Sequence, residues 1–120
     1  MALDWRVRFP AILRSKTQPE LLELSNQARY AEVLNWTAEI LAERPLEPEA
    51  LFFRGLAHFY LSLVETNQGN INPRLDQAII ALRRARLVSG FRYRKEAAYL
   101  LGKVYYHRGP VYYDLAINFL

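Results

Sequence analysis

Catalysis needs groups that can move protons, attack a substrate or hold a metal, and this 120-residue chain offers few of them. It has two histidines, His58 and His107, and no cysteine; Asp4, Asp76 and Asp114 are scattered. No glycine-rich phosphate loop, paired-histidine ligand motif or Gly-x-Ser-x-Gly turn occurs. His58 falls among apolar residues, where a hydrogen-bonded packing histidine is expected. His107 stands one residue past the inner face of its helix and is expected at the surface. The chain therefore reads as non-enzymatic, with no catalytic residue, no metal site and no cofactor.

The chemistry that remains is that of surfaces. Thirteen of the sixteen basic residues are arginine, whose planar fork suits bidentate contacts and stacking on rings better than lysine does. The net charge of +4 is uneven: residues 1–60 carry −1 and residues 61–120 carry +5. The excess gathers in Arg83, Arg84, Arg86, Arg92, Arg94 and Lys95, interleaved with Phe91, Tyr93 and Tyr99. Such a patch could touch nucleic acid or anionic lipid. Arg83, Arg84 and Arg86 also fit the solvated face of a helix near its C-terminus, where cations are favoured. That spacing ranks a solvated face first, an acidic protein partner second and nucleic acid last.

Composition sets the frame for these surfaces. At 52% hydrophobic and 23% charged, the chain has enough apolar material for one folded domain and is not of the disordered class. No apolar run approaches the roughly 20 residues that cross a bilayer, so membrane association is not expected of this stretch. Asp4, Arg6 and Arg8 interrupt the only candidate for a secretory leader after Met1. These features and the lack of cysteine lean toward a reducing, cytoplasmic setting.

The elements follow from punctuation and periodicity. Trp5, Val7 and Phe9 alternate with charged residues, and Pro10 disfavours helix before it, so residues 1–16 read as an extended arm. Thr17 to Gln27 reads as a short helix, with Thr17 or Gln18 capping it and Pro19 near its start. Tyr30 to Glu43 reads as a stronger one, with Val33, Thr37 and Ile40 on one face, stopped by Pro45 and Pro48. A helix from Pro48 carries Leu51, Gly55 and His58 on one stripe and continues to Val64 or Glu65. Thr66–Asn72 reads as a polar surface loop. Asn72 and Pro73 then open a helix running to about Ser89, with Ala78, Leu82 and Ala85 inside and Gly90 ending it. A further helix starts near Arg94, is broken by Gly109-Pro110, and is followed by a last one from Tyr113 to Leu120.

The chain also matches itself. Aligning Gly55 with Gly102 lays PEALFFRGLAHFY over KEAAYLLGKVYYH, so that Ala50 meets Ala97 and His58 meets Tyr105. The following helices align as YAEVLNWTAEI, LDQAIIALRRA and YDLAINFL, with Val33, Ala78 and Ala116 in register. This resembles the tetratricopeptide repeat (TPR) family, whose helix–turn–helix unit spans about 34 residues. Leu51, Arg54-Gly55 and His58, then Ala98, Leu101-Gly102 and Tyr105, occupy the family's first-helix places. Ala78, Leu82 and Ala85 occupy the second-helix places, and Val33, Thr37 and Ile40 do so more loosely. Gly55 and Gly102 lie 47 residues apart, about thirteen more than one unit, and most of that excess falls between Leu61 and Asn72.

The resemblance implies an all-α, right-handed helix–turn–helix repeat stack of about three pairs. Residues 17–45 would be an atypical repeat, 48–90 a repeat with an insertion at 62–72, and 94–120 a truncated one. It further implies a concave groove lined by Glu49, Phe52, Leu56, Phe59 and Tyr60, then by Glu96, Tyr99, Lys103, Tyr106 and His107. The polar clamp that holds peptide carboxylates in some members is absent, because Phe52, Phe53, Leu56 and Tyr99 stand there. An apolar, aromatic groove favours an amphipathic helix or an aromatic-bearing segment of a protein partner; the competing reading makes Phe52, Phe59 and Tyr99 part of the internal packing. A stack that stops at Leu120 lacks a polar cap, which suggests a piece of a longer repeat protein or a surface covered by another chain. Trp5, Val7, Phe9, Tyr113, Ala116, Ile117, Phe119 and Leu120 are the candidates for self-association, most simply as a homodimer. Two roles therefore stand side by side: a scaffold that holds a partner segment, and a self-assembling module whose groove or open end is filled by its own arm or another copy.

Overall fold

A computed structural model describes residues 20–119, and these are all-helical, with no strand among them. The arm at residues 1–16, with Trp5, Val7 and Phe9, lies outside the described residues, as do Thr17, Gln18, Pro19 and Leu120. Residues 20–26 are helical (α1). They are followed by α2 (Tyr30–Glu43), α3 (Pro48–Leu63), α4 (Gln68–Arg86), α5 (Arg94–Arg108), a 3-10 turn (Pro110–Tyr112) and α6 (Tyr113–Phe119). From α2 onward each helix packs mainly on its neighbours in sequence, and α3 and α5 touch more thinly.

α3 is the centre of this arrangement. Glu47 caps it, its side chain accepting from the Glu49 N–H at 3.2 Å, with Pro48 in the first turn, where a missing N–H costs nothing. Nine of its sixteen residues are buried, among them Phe53 and Phe59 at 1% exposure. A helix covered on most sides needs a close approach somewhere, and Gly55 provides it. A Cβ built there would stand 2.6 Å from Leu82 Cγ and 3.3 Å from the Ala78 carbonyl of α4. Ala78, Ala81 and Ala85 give α4 a small-residue face for that contact, with Leu75, Ile79 and Leu82 filling beside it. α2 buries Val33, Thr37 and Ile40. It is tied to α3 by Arg54, whose Nη1 donates to the Leu34 carbonyl at 3.0 Å and to Thr37 Oγ1 at 3.2 Å. Burial pushes the Arg54 guanidinium below the usual arginine range.

Two expectations about the chain's layout are corrected. The connection after α3 is short, and α4 begins at Gln68, so of the expected loop Thr66–Asn72 only Thr66 and Asn67 lie outside helix. Asn67 is the cap, its Oδ1 accepting from the Gly69 N–H at 2.9 Å, and Ile71 packs against the core from the added turn. Pro73 therefore sits inside the helix. The second correction concerns α6: Phe119, expected on an open interface, turns inward and stacks on Tyr105 at 6.0 Å. The Arg86 guanidinium covers the Phe119 ring at 4.6 Å, so Arg86 is half-buried rather than part of a free basic patch.

The connection from α1 to α2 contains the one described non-glycine residue with positive φ, Ala28 at +56°. Arg29 N–H donates to the Leu24 carbonyl at 2.9 Å and Ala28 N–H to the Ser25 carbonyl at 3.0 Å. This is the paired closure that usually places glycine at the left-handed position. Gly109, at φ +134°, ends α5, and Arg108 Nε reaches back to Asp76 of α4 at 2.7 Å.

Candidate functional site

Eight of the ten expected groove residues line two cavities, four in each. The first, of about 400 Å³, lies beside α3. Phe52, Leu56 and Tyr60 come from α3 at intervals of four residues, and Glu96 comes from the first turn of α5. Leu22, Ser25 and Asn26 of α1, Tyr30 at the start of α2, Phe53, and Tyr93 just before α5 complete the wall. The second cavity, of about 340 Å³, is lined by Tyr99, Lys103, Tyr106 and His107 of α5.

The remaining two residues sit differently. Phe59 is 1% exposed, with its ring edge-on to His107 at 5.3 Å and to Tyr60 at 5.4 Å; it is core and not a groove surface. Glu49 is half-buried in the first turn of α3. Burial and then the Glu47 charge raise its carboxyl above the usual range, and Arg92 partly opposes them. Phe52 is 6% exposed, so little of it beyond what faces the cavity is open.

The walls of the first cavity are ring pairs. Tyr30 and Tyr60 stack at 5.3 Å with planes 10° apart, and Phe52 and Tyr93 at 5.1 Å with planes 20° apart. Burial, then Tyr60, raises the Tyr30 phenol above its ordinary value. Ser25 Oγ is buried with no hydrogen-bond partner among the described residues. Tyr30, Tyr93, Ser25 and Asn26 were not foreseen. Tyr30 and Tyr93 stand at helix starts, where periodicity assigns no face, and α1 lacks the glycine pattern that would have fixed its register.

The other candidates separate. Arg83 and Arg84 are exposed and flank a shallow depression of about 300 Å³ with Ile79, Ile80 and Leu87. Arg92, Arg94 and Lys95 are exposed at the start of α5. On and before α6, Val111 is 90% exposed, Ile117 71%, Leu115 42% and Tyr113 41%, while Ala116 is buried.

His58 is buried at 8% exposure, yet neither ring nitrogen has a hydrogen-bond partner among the described residues. This corrects the expected hydrogen-bonded histidine. Burial first, then the charges of Arg54 and Arg74, lower its pKa to about 4. The imidazole is therefore neutral at pH 7. His107 is exposed. Among the described residues no cluster of three His, Cys, Asp or Glu is placed to hold a metal ion, and no helix is long and apolar enough to cross a membrane.

Comparison of the chain with protein-family models, with curated proteins and with solved structures gives no match. What the site can do follows from its own geometry: two aromatic cavities, with a carboxylate in the lining of one and an ammonium in that of the other.

Proposed function

We propose that this chain is a non-enzymatic scaffold that holds a segment of a partner protein along the inner face of a TPR-like, right-handed helix–turn–helix stack. The reading of a repeat stack rests on the self-alignment about Gly55 and Gly102, on helices that pack mainly with their sequence neighbours, and on the close crossing at Gly55. One observation carries the binding role. The residues at matching positions of α3 and α5 line the two aromatic cavities, and Tyr99 and Tyr106 stand 56% and 57% exposed at the second. Exposed rings rimmed by polar groups are what protein-binding surfaces present. Panning a random peptide library on the purified chain tests the reading. Enriched peptides should share apolar or aromatic anchors and should not be recovered on Leu56→Glu or Tyr99→Glu. No enrichment on the wild type, or equal enrichment on Leu56→Glu, overturns it.

A second reading is favoured by the exposure of Val111, Leu115 and Ile117: self-assembly through the region of α6. Light scattering over a concentration series should then show a dimer that Ile117→Lys dissociates. A monomer at every concentration discards this role. Phe119→Glu is unsuited to that experiment, because Phe119 packs on Tyr105.

A further inference from the structure

The first cavity is built unevenly from end to end. Phe52 and Tyr60 are eight residues apart on α3, about 12 Å along the helix axis, so its two ring pairs mark opposite ends of an elongated slot. Leu56 lies between them. At one end Tyr93 stacks on Phe52, and Glu96, three residues after Tyr93, brings the only charged side chain among the described lining residues. At the other end Tyr30 stacks on Tyr60. Arg94 and Lys95 precede Glu96 on other faces of α5 and are exposed.

An apolar slot with rings at both ends and a carboxylate at one matches a group with a long aliphatic stem and a cationic head. The stem gains from burial against Leu56 and the ring edges. The head gains from the carboxylate and from the negative faces of aromatic rings, a contribution that grows when water is excluded. A neutral aliphatic side chain would fill the slot but leave the carboxylate unanswered, and an acidic one would be repelled by it.

We infer that the slot between Phe52 and Tyr60 takes a lysine or arginine side chain of the partner segment, its stem over Leu56 and its cationic head at Glu96. This rests on the peptide-holding role and names the residue that anchors the peptide there.

The probes are four capped tripeptides, acetyl-Gly-X-Gly-amide, with X as arginine, citrulline, lysine or norleucine. Citrulline and norleucine keep the shape of the two cations without the charge. Binding is read from amide chemical-shift changes in the labelled chain at low salt. At least one cation should bind five-fold or more tightly than its neutral counterpart, with shifts centred on Leu56, Tyr60 and Glu96. The arginine and lysine arms decide which head is preferred. Glu96→Gln should abolish that preference while leaving the neutral peptides unchanged, and Asp114→Asn, on α6, should preserve it. Neutral peptides that bind as well as the charged ones overturn the inference and leave an apolar groove for a partner segment intact. So does a preference that survives Glu96→Gln. Absence of shifts with all four also overturns it, whereas the peptide-holding role is decided separately by the library.

Discussion

α3 and α5 carry the same pattern and live in different surroundings. Matching positions pair Phe52 with Tyr99, Leu56 with Lys103, His58 with Tyr105, Phe59 with Tyr106 and Tyr60 with His107. Phe52 and Phe59 are 6% and 1% exposed, while Tyr99 and Tyr106 are 56% and 57% exposed. The cause is what arrives from elsewhere in the chain. Phe91 and Tyr93 come within 6.0 and 5.1 Å of Phe52, and His107 covers Phe59. Over α5, Tyr99 meets the Lys103 ammonium at 5.4 Å and Tyr106 stacks on Tyr113 at 5.4 Å, contacts that leave both rings partly open. Position on the helix decides which face a residue joins; the elements packed against it decide whether that face is core or surface.

The sharpest way to break this comparison is to truncate both members of one pair. Phe59→Ala should cost about 3–5 kcal/mol, and Tyr106→Ala under about 1 kcal/mol, both by urea denaturation. Similar losses would mean that α3 and α5 are equally covered.

The next effect concerns the protonation of His58 on α3. Because the folded-state pKa of His58 lies below its unfolded value, the unfolded chain takes up the proton first as pH falls. Stability should be flat above about pH 6.5 and decline toward pH 4, by up to about 3 kcal/mol. The groups acting on the imidazole are Arg54 of α3 and Arg74 of α4, with Glu65 beside Arg74 at 3.7 Å. His58→Leu should remove this part of the pH dependence, read as the difference from wild type, without weakening the fold at neutral pH. An unchanged pH profile in that variant would show that the histidine is not held neutral by its site.

Much of this was legible beforehand, and the misses have specific causes. The spans of α2 and α5 follow from strong periodicity and from proline and glycine at the ends. The start of α4 did not, because Gly69, Asn70, Asn72 and Pro73 are all turn formers taken singly. A cap at Asn67 and the burial of Ile71 outweigh them. Phe52, Leu56 and Tyr60 could be placed on one face of α3 by their spacing, whereas Tyr30 and Tyr93, at or just before helix starts, could not be placed beside them. Phe119 was misread because nothing local announces that Arg86 will lie over it.

Smaller effects refine the picture further. Gly55→Leu should cost about 1–3 kcal/mol by overpacking against Leu82, and unchanged thermal stability would contradict a close crossing on α3. The smallest change concerns the turn that delivers Ser25, Asn26 and Tyr30 to the α3 side. Ala28 holds a left-handed conformation that glycine adopts freely, so Ala28→Gly should raise stability by up to about 1 kcal/mol. A loss in urea denaturation would mean that the turn relaxes out of that conformation.

The placement of Pro73 divides α4 in time as well as in sequence. Proline has no N–H to give the Gly69 carbonyl and crowds it, so the turn from Gln68 to Asn72 is tied to the remainder by one ladder bond fewer. Its hold on the fold comes from the Asn67 cap and Ile71, whereas Leu75 to Ala85 is locked between α3 and α5. Amide hydrogens in the first turn should exchange with solvent through local opening, and those after Leu75 only when the whole fold opens. One continuous helix would thus report two clocks, with the fast one beside the face that buries His58.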